Sequence, residues 1–217
     1  MAALGPRLLF NTHLHVPPNF SAFTTVEDCV RTAEAEGVKV IGTSNFHSFG
    51  VYDRFDAAAR EHGLKALFGL EFISVLDEAM RADMTVNDPA NPGRANICGK
   101  GVPNPSDPGA EAVTFMAEAK VANEARHTRM VDLTRELFAQ AGLEVDVTYD
   151  SIVELVCERA DVPAAWVILQ ERHVALGFQE ALFASLPADG RGAFLEKLYG
   201  QPAKAAADDV VGTQGEL

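Results

Sequence analysis

Three apolar runs alternate with two amphipathic segments in the first third of the chain, and this order constrains the fold most strongly. The runs at 7–12, 38–43 and 64–72 have the length of buried strands, and 25–36 and 49–62 have helical periodicity. Strands that are separated by single helices form parallel sheets with right-handed crossovers. The sequence therefore predicts an α/β fold whose first part is a parallel sheet with its helices as crossovers.

The later sequence changes to turn-forming residues and then to helices. Residues 84–110 are rich in Asn, Asp, Gly and Pro, which favours loops, and we expect a fourth strand near 95–99. The final residues have no apolar period, which is typical of an exposed tail. Helical patterns lie between these loops and the tail, at 111–141, 151–159, 163–185 and 190–199. We therefore divide the chain into a βα part, a helical segment and a flexible tail, at 1–108, 109–200 and 201–217.

Local signals predict where three of these helices begin. Thr24 and Glu27 have the spacing of a capping box, and so have Ser151 and Glu154. Pro163 suits the first turn of the helix at 163–185, because proline has no N–H to donate there.

The composition excludes several functional classes. The chain carries 31 acidic against 18 basic residues, a net charge of −13, which argues against nucleic acid as a partner. No run approaches the roughly 18 consecutive apolar residues of a membrane span, and the N-terminus lacks the pattern of a secretory signal. Three widely spaced cysteines argue against a disulfide framework and a cysteine-based zinc site. We therefore expect a cytoplasmic protein without a membrane partner.

Residues 151–185 also imitate a helix-turn-helix DNA reader. Such a module needs polar side chains early in its second helix, whereas this helix would begin Ala-Ala-Trp-Val-Ile-Leu. We expect Trp166 and Leu169 to be buried instead.

The clearest chemical signal is a pair of histidines at the end of the first strand. His13 and His15 are two residues apart, so in an extended segment both side chains point to the same side, where their nitrogens suit a divalent metal ion. Glu71 ends the third predicted strand within an apolar sequence, and a buried carboxylate needs a partner. An ion shared with the histidines would provide it, as would an ion pair with Arg94. We favour the metal site.

Other polar residues are weaker candidates. After the second strand, His47 would add a ligand and Asn45 would bind substrate or water, although the Ser-Asn pair at 44–45 also suits a turn. Lys100 lies between two glycines, so it would either present an ammonium to phosphate or belong to a flexible turn. His173 would be a ligand or phosphate contact, or a histidine packed between helices, and we favour packing.

Several segments along the chain together have the pattern of a known family. They are His13-x-His15, residues 37–43, residues 49–55 and Gly69-Leu70-Glu71. Over roughly residues 8–73 the chain therefore resembles the polymerase and histidinol phosphatase (PHP) family. Residues 87–101 and 170–173 resemble a bacterial branch of that family, which is related to the PHP module of the DNA polymerase III alpha subunit.

This resemblance implies a distorted PHP-type βα barrel, of which the chain carries the N-terminal part, followed by the helical segment. It also implies that the protein binds divalent metal ions, which would be zinc, manganese or iron, and that these ions promote phosphoester hydrolysis. His13 and His15 match the first metal-binding motif, and Glu71 matches the acid after the third strand. Asn45 stands where the family has a metal-binding histidine, and no Asp-x-His motif follows Glu71.

The resemblance thus predicts a metal-dependent phosphoesterase-like protein that is incomplete or impaired. Its expected substrate is a small phosphorylated molecule. The resemblance assigns no catalytic residue. A non-catalytic, PHP-related structural or interaction module is the alternative, because the second motif is degenerate. An amidohydrolase is a third hypothesis, since the barrels of amidohydrolases also have a His-x-His motif after their first strand. A barrel with too few strands leaves an open edge, so we also expect self-association.

Overall fold

A computed structural model of the protein describes residues 8–102 and 108–217. The chain divides into two compact units, Met1–Ala119 and Lys120–Leu217. No helix in the described part of the chain is long and apolar enough to cross a membrane. The domain limits inferred from composition, at 108 and 200, stay predictions.

The first unit contains all six strands found in the described residues, and it confirms the predicted alternation of strands and helices. In chain order its elements are β1 (Phe10–Leu14), α1 (Val26–Ala35), β2 (Val40–Thr43), β3 (Asn45–Phe46), α2 (Tyr52–Glu61), β4 (Lys65–Leu67), β5 (Gly69–Val75), α3 (Asp77–Arg81), β6 (Arg94–Lys100) and the beginning of α4 (Ala110–Gln140).

These strands form two small sheets, and the described residues contain no closed barrel. The first sheet is parallel with the order β1-β2-β4. The second has the order β3-β5-β6, in which β3 and β5 are parallel but β5 and β6 are antiparallel. The α/β class is confirmed, and the sheets are consistent with part of a barrel. The fourth strand is present, although its antiparallel pairing departs from a βα repeat.

The third predicted strand, 64–72, is divided between the two sheets. It breaks at Phe68, so that β4 extends the first sheet and β5 lies at the centre of the second. Gly69 permits this, because a Cβ there would lie 2.6 Å from the Thr43 carbonyl oxygen and 2.8 Å from that of Gly99. Only a residue without a side chain allows three backbone segments to approach so closely.

The core of the first unit lies between the first sheet and its two helices. Val30 of α1 and Phe55 of α2 are fully buried in a cluster with Ile41 of β2. Cys29 belongs to the same cluster, as expected, and burial raises its thiol pKa to about 12.

The predicted capping box at Thr24 is wrong by one residue. Thr25 is the N-cap of α1, where its side chain accepts from the backbone N–H of Asp28 while the Asp28 carboxylate accepts from the backbone N–H of Thr25. Aspartate thus takes the place in the box that was assigned to a glutamate.

The second unit is helical in its described residues. It contains the rest of α4, a short 3₁₀ helix (Ala164–Trp166) and four further helices, which are α5 (Tyr149–Ala160), α6 (Glu171–Ser185), α7 (Ala188–Tyr199) and α8 (Val210–Glu216). Phe138, Phe178 and Leu182 are fully buried in its core. The tail predicted to be flexible contains α8, in which Thr213 is buried.

Two helix starts in this unit were also predicted wrongly. Thr148 caps α5, and Ser151 is the third helical residue of that capping box rather than the cap. The helix expected from Pro163 begins only at Glu171, because the apolar segment Val167–Leu169 is buried in a non-helical conformation. Leu169 is fully buried and Trp166 is half-buried, and the broken second helix lacks the form of a DNA-reading helix.

Candidate metal centre

The end of β1 brings His13 and His15 together with Glu71 of β5. Nε2 of His13 lies 3.0 Å from Oε2 of Glu71, and Nε2 of His15 lies 3.3 Å from the same oxygen. One ligand atom from each of the three residues lies within 4.8 Å of the other two. The structure therefore brings together the three residues that the sequence singled out.

The Glu71 carboxylate is the buried side of this cluster. Its side chain is only 5% exposed, and Oε1 accepts a hydrogen bond of 2.8 Å from the side-chain amide of Asn96. The other oxygen, Oε2, is buried without a hydrogen-bond partner and faces the two histidine nitrogens. Burying a carboxylate oxygen without compensation is costly, and a divalent cation among these three atoms would compensate it. The donor set fits a metal ion.

His15 is held in the neutral form that a metal ligand requires. Its ring stacks on Phe46 of β3 with centroids 4.9 Å apart. Burial lowers the pKa of His15, and this effect exceeds the opposing influence of the Glu71 carboxylate. An uncharged imidazole presents a lone pair to a metal ion.

His13 is more open to solvent, and Lys100 lies beside it. The Nζ atom of Lys100 is 3.1 Å from Nδ1 of His13, and it donates to the Thr12 carbonyl oxygen at 2.9 Å and to the Ser44 hydroxyl at 2.8 Å. These three contacts use all three N–H donors of an ammonium group. Lys100 therefore links β6 to β1 and to the residue after β2, and a contact of its ammonium with phosphate stays a prediction.

Asn45 does not face the cluster. Its side-chain N–H donates to the Val16 carbonyl oxygen and its Oδ1 accepts from the Val16 backbone N–H, each at 2.9 Å. Asn45 is 1% exposed and Val16 is fully buried. Asn45, which the PHP resemblance aligns with a metal-binding histidine, thus ties β3 to the segment after His15.

His47 lies near the cluster but outside the three-residue group. Its ring packs edge-on against Phe72 at 5.1 Å between centroids, and burial lowers its pKa. Its backbone N–H donates to the carbonyl oxygen of Glu71. The backbone of His47 thus supports the main chain that carries Glu71, and its role as a further ligand stays a prediction.

His173 belongs to the second unit and has a structural role there. Its Nδ1 accepts the backbone N–H of Gln170 at 3.0 Å, which caps the start of α6. Burial lowers its pKa to about 4, so the ring is neutral. This agrees with the packing interpretation of His173. Arg94, the alternative partner considered for Glu71, forms an ion pair with Asp88.

Sequence reasoning missed Asn96, whose amide orients Glu71. Asn96 and Lys100 lie on β6, and both reach the cluster because β6 pairs with β5 in an antiparallel register. A pattern of alternate polar residues, Asn96, Cys98 and Lys100, is the only local sign of this face.

No protein-family model matches the chain, and no curated protein matches it significantly. The solved structures with a similar fold include the following two. A "putative metal-dependent phosphoesterase" from Bifidobacterium adolescentis aligns with a TM-score of 0.58 and 17% identity over 93% of this chain and 58% of that one. An amidohydrolase from Chromobacterium violaceum, solved with bound sulfate and no metal, aligns with a TM-score of 0.54 and 17% identity over 95% of this chain and 63% of that one.

The chain thus spans about three fifths of the length of each of these proteins. At 17% identity, the likeness concerns the fold. The fold is one that a metal-dependent phosphoesterase and an amidohydrolase both have, and in this chain it carries a His13, His15 and Glu71 cluster that can hold a metal ion.

Proposed function

We propose that the protein is a metal-dependent phosphoesterase of the PHP type, in which His13, His15 and Glu71 bind the metal ion. One observation carries this proposal. Oε2 of Glu71 is buried, lacks a hydrogen-bond partner and faces the Nε2 atoms of both histidines. The fold likeness to a metal-dependent phosphoesterase supports it, as does the match of the three residues to PHP motifs.

Two imidazole nitrogens and one carboxylate oxygen suit zinc, and also manganese or iron. Three protein ligands leave a coordination position open, as catalytic sites do. When bound, the ion would act as a Lewis acid on a phosphoryl oxygen and would lower the pKa of water.

The chain's own residues hold the donor atoms in place. Asn96 fixes the Glu71 carboxylate through Oε1, which leaves Oε2 directed at the histidines. Phe46 supports the ring of His15 by stacking. The His13 side chain is 44% exposed, so a small phosphorylated substrate can reach the centre from its side.

A non-catalytic relative is the second candidate, and Asn45 favours it. Both polar groups of its amide are engaged by Val16, so this position supplies no ligand. The cluster offers three donors, which suffice for one ion, whereas the PHP resemblance implies several. Metal binding without hydrolysis would indicate this candidate.

The test compares metal binding and hydrolysis in the same preparations. The chain is stripped with a chelator and titrated with zinc or manganese by calorimetry. It is then assayed on nitrophenyl phosphate and on a nitroanilide amide. His13→Ala is the test variant, and His62→Ala, at a histidine on the C-terminal side of α2, is the control.

We expect one ion to bind, with phosphoester hydrolysis that is lost in His13→Ala and retained in His62→Ala. Hydrolysis of the amide alone would assign the amidohydrolase chemistry instead. Binding that His13→Ala leaves unchanged would refute the proposed site.

A further inference from the structure

We infer that Cys98 is a fourth ligand of the proposed centre, bound as a thiolate, and that it makes the site prefer zinc to manganese. The inference rests on the proposed function, because it requires an ion held by His13, His15 and Glu71. The sequence alone pointed away from a cysteine ligand, since the three cysteines are far apart along the chain.

The strand register places Cys98 on the face of the sheet that carries the centre. In the antiparallel pairing of β5 and β6, Cys98 lies directly opposite Glu71. Residues in such a pair have Cβ atoms about 4.5–5.5 Å apart and project to the same face. The pairing thus brings the thiol next to the carboxylate that forms the buried side of the cluster.

The two neighbours of Cys98 on this face already contact the centre. Asn96 donates to Oε1 of Glu71 at 2.8 Å, and Nζ of Lys100 lies 3.1 Å from Nδ1 of His13. Side chains two residues apart on a strand point to the same side. Cys98 stands between these two residues, so its side chain is directed to the same region.

The contacts of the thiol agree with this placement. Desolvation and then the Glu71 carboxylate raise the pKa of the exposed Cys98 thiol, whereas the Lys100 ammonium lowers it, so both charged neighbours lie close to the sulfur. When the sulfur–metal bond forms, the thiol proton leaves to solvent.

Glu71 gives the independent evidence that this region receives a ligand. Its side chain is 95% buried, its Oε2 has no hydrogen-bond partner, and that oxygen points into the space between the histidines. The group of ligand atoms within 4.8 Å of one another does not include the Cys98 sulfur. Ligation therefore requires Cys98 to turn about its Cα–Cβ bond, which its exposed position permits.

The other two cysteines are unsuited to this role. Cys29 is buried in the core on α1, and Cys157 lies on α5 of the second unit. Neither is on a strand that carries a proposed ligand. Cys157 therefore offers a matched control for substitution of Cys98.

A set of two imidazoles, one carboxylate and one thiolate has a definite preference among metals. Thiolates bind zinc strongly and suit manganese poorly, and zinc accepts four such ligands in tetrahedral geometry. Because Cys98 reaches the ion only after rotating, water or substrate can replace it.

The test uses cobalt(II) as a spectroscopic substitute for zinc in the full chain. Cobalt bound to nitrogen and oxygen ligands shows visible ligand-field bands, and a thiolate ligand adds a charge-transfer band in the near ultraviolet. We expect both signals in the unsubstituted protein and in Cys157→Ser. Cys98→Ser should keep the visible bands and lose the charge-transfer band.

A second measurement avoids any dependence on how the variants fold. Zinc should slow the alkylation of Cys98 in the unsubstituted chain by about tenfold or more, because a metal-bound thiolate is a weaker nucleophile, while alkylation of Cys157 stays the same. Mass spectrometry of the two cysteine-containing peptides gives both rates in one experiment.

Each outcome supports or overturns the inference. Visible bands without a charge-transfer band in the unsubstituted protein would overturn it and leave the proposed three-residue site intact. A charge-transfer band that persists in Cys98→Ser would also overturn it, as would alkylation of Cys98 that zinc does not slow. Absence of all cobalt bands would overturn the proposed metal site itself.

Discussion

Asn45→Ala tests whether Asn45 acts as a clip, by which we mean that its two hydrogen bonds to Val16 hold the segment that carries the histidines. Asn45 bonds both the N–H and the C=O of Val16, the residue that follows His15. Both residues are buried. An alanine removes both bonds. The Val16 carbonyl oxygen still accepts from the Asn19 backbone N–H at 3.1 Å, whereas the buried Val16 N–H loses its side-chain partner.

The expected loss follows from these two bonds. Leaving the buried Val16 N–H unsatisfied costs about 1–3 kcal/mol, and losing one of the two bonds to its carbonyl oxygen adds roughly 0.5–1.5 kcal/mol before the backbone relaxes. We expect a loss of about 3 kcal/mol in the free energy of unfolding of the first unit, which is large beside the roughly 5–15 kcal/mol that stabilises a typical domain.

Hydrogen exchange is the suitable assay for this loss. The single tryptophan, Trp166, lies in the second unit, so its fluorescence does not report on β1 or β3. Exchange of the peptides 10–16 and 40–46, measured by mass spectrometry, reports on both strands. Asn91→Ala is the control, because Asn91 is exposed and its side-chain amide donates to the nearby Asp88.

We expect Asn45→Ala to lose protection in both peptides and to bind zinc more weakly, since the histidines are then less well held. Asn91→Ala should leave both properties unchanged. A loss of protection below about 1 kcal/mol in Asn45→Ala, the net worth of a single ordinary hydrogen bond, would refute the clip.

Three further perturbations have defined outcomes. Burial lowers the pKa of His173 from 6.5 to about 4, so the unfolded chain takes up the proton first, and the second unit should lose stability as the pH falls from about 6.5 towards 4. Urea unfolding followed by tryptophan fluorescence should show a loss of about 2 kcal/mol between pH 7 and pH 5, and an unchanged midpoint would contradict this. Lys100→Met removes a positive charge from beside His13, so zinc affinity measured by calorimetry should rise by about tenfold, and a fall would show that the lysine orients the ligand. Gly69→Ala should lower the thermal midpoint of the first unit, because its Cβ would lie 2.6 Å from a carbonyl oxygen. Gly99→Ala, whose nearest contact would be 3.7 Å away, should lower it far less, and equal losses would contradict the steric argument.

The elements of the first unit were predictable because their signals are local. The apolar periods of α1 and α2 and the short runs of β1 and β2 appear within a few residues of sequence. The break at Phe68 was not predictable in this way. It depends on which strands pair with β4 and β5, and those partners lie elsewhere in the chain.

The site was predictable to the same extent. The spacing of His13 and His15 and the apolar surroundings of Glu71 pointed to the cluster that the structure assembles. The roles of Asn96 and Lys100 depend on the antiparallel pairing of β6, which no local pattern indicates. The capping role of His173 was difficult to predict for another reason. Glutamine is not a usual N-cap, and the contact of Gln170 with this histidine has no common sequence signature.

The proposed ligands come from different sheets, and this determines what holds them in register. His13 and His15 belong to the end of β1 in the first sheet, whereas Glu71 belongs to β5 in the second. The Lys100 contacts join β6 to β1 and β2, and the Asn45 clip joins β3 to the segment after His15. The geometry of the centre therefore depends on residues that donate nothing to the ion. If a histidine replaced Asn45, it would add a possible donor but would remove the clip that positions His15, so the asparagine favours a firmly held centre for one ion over a looser one with more ligands.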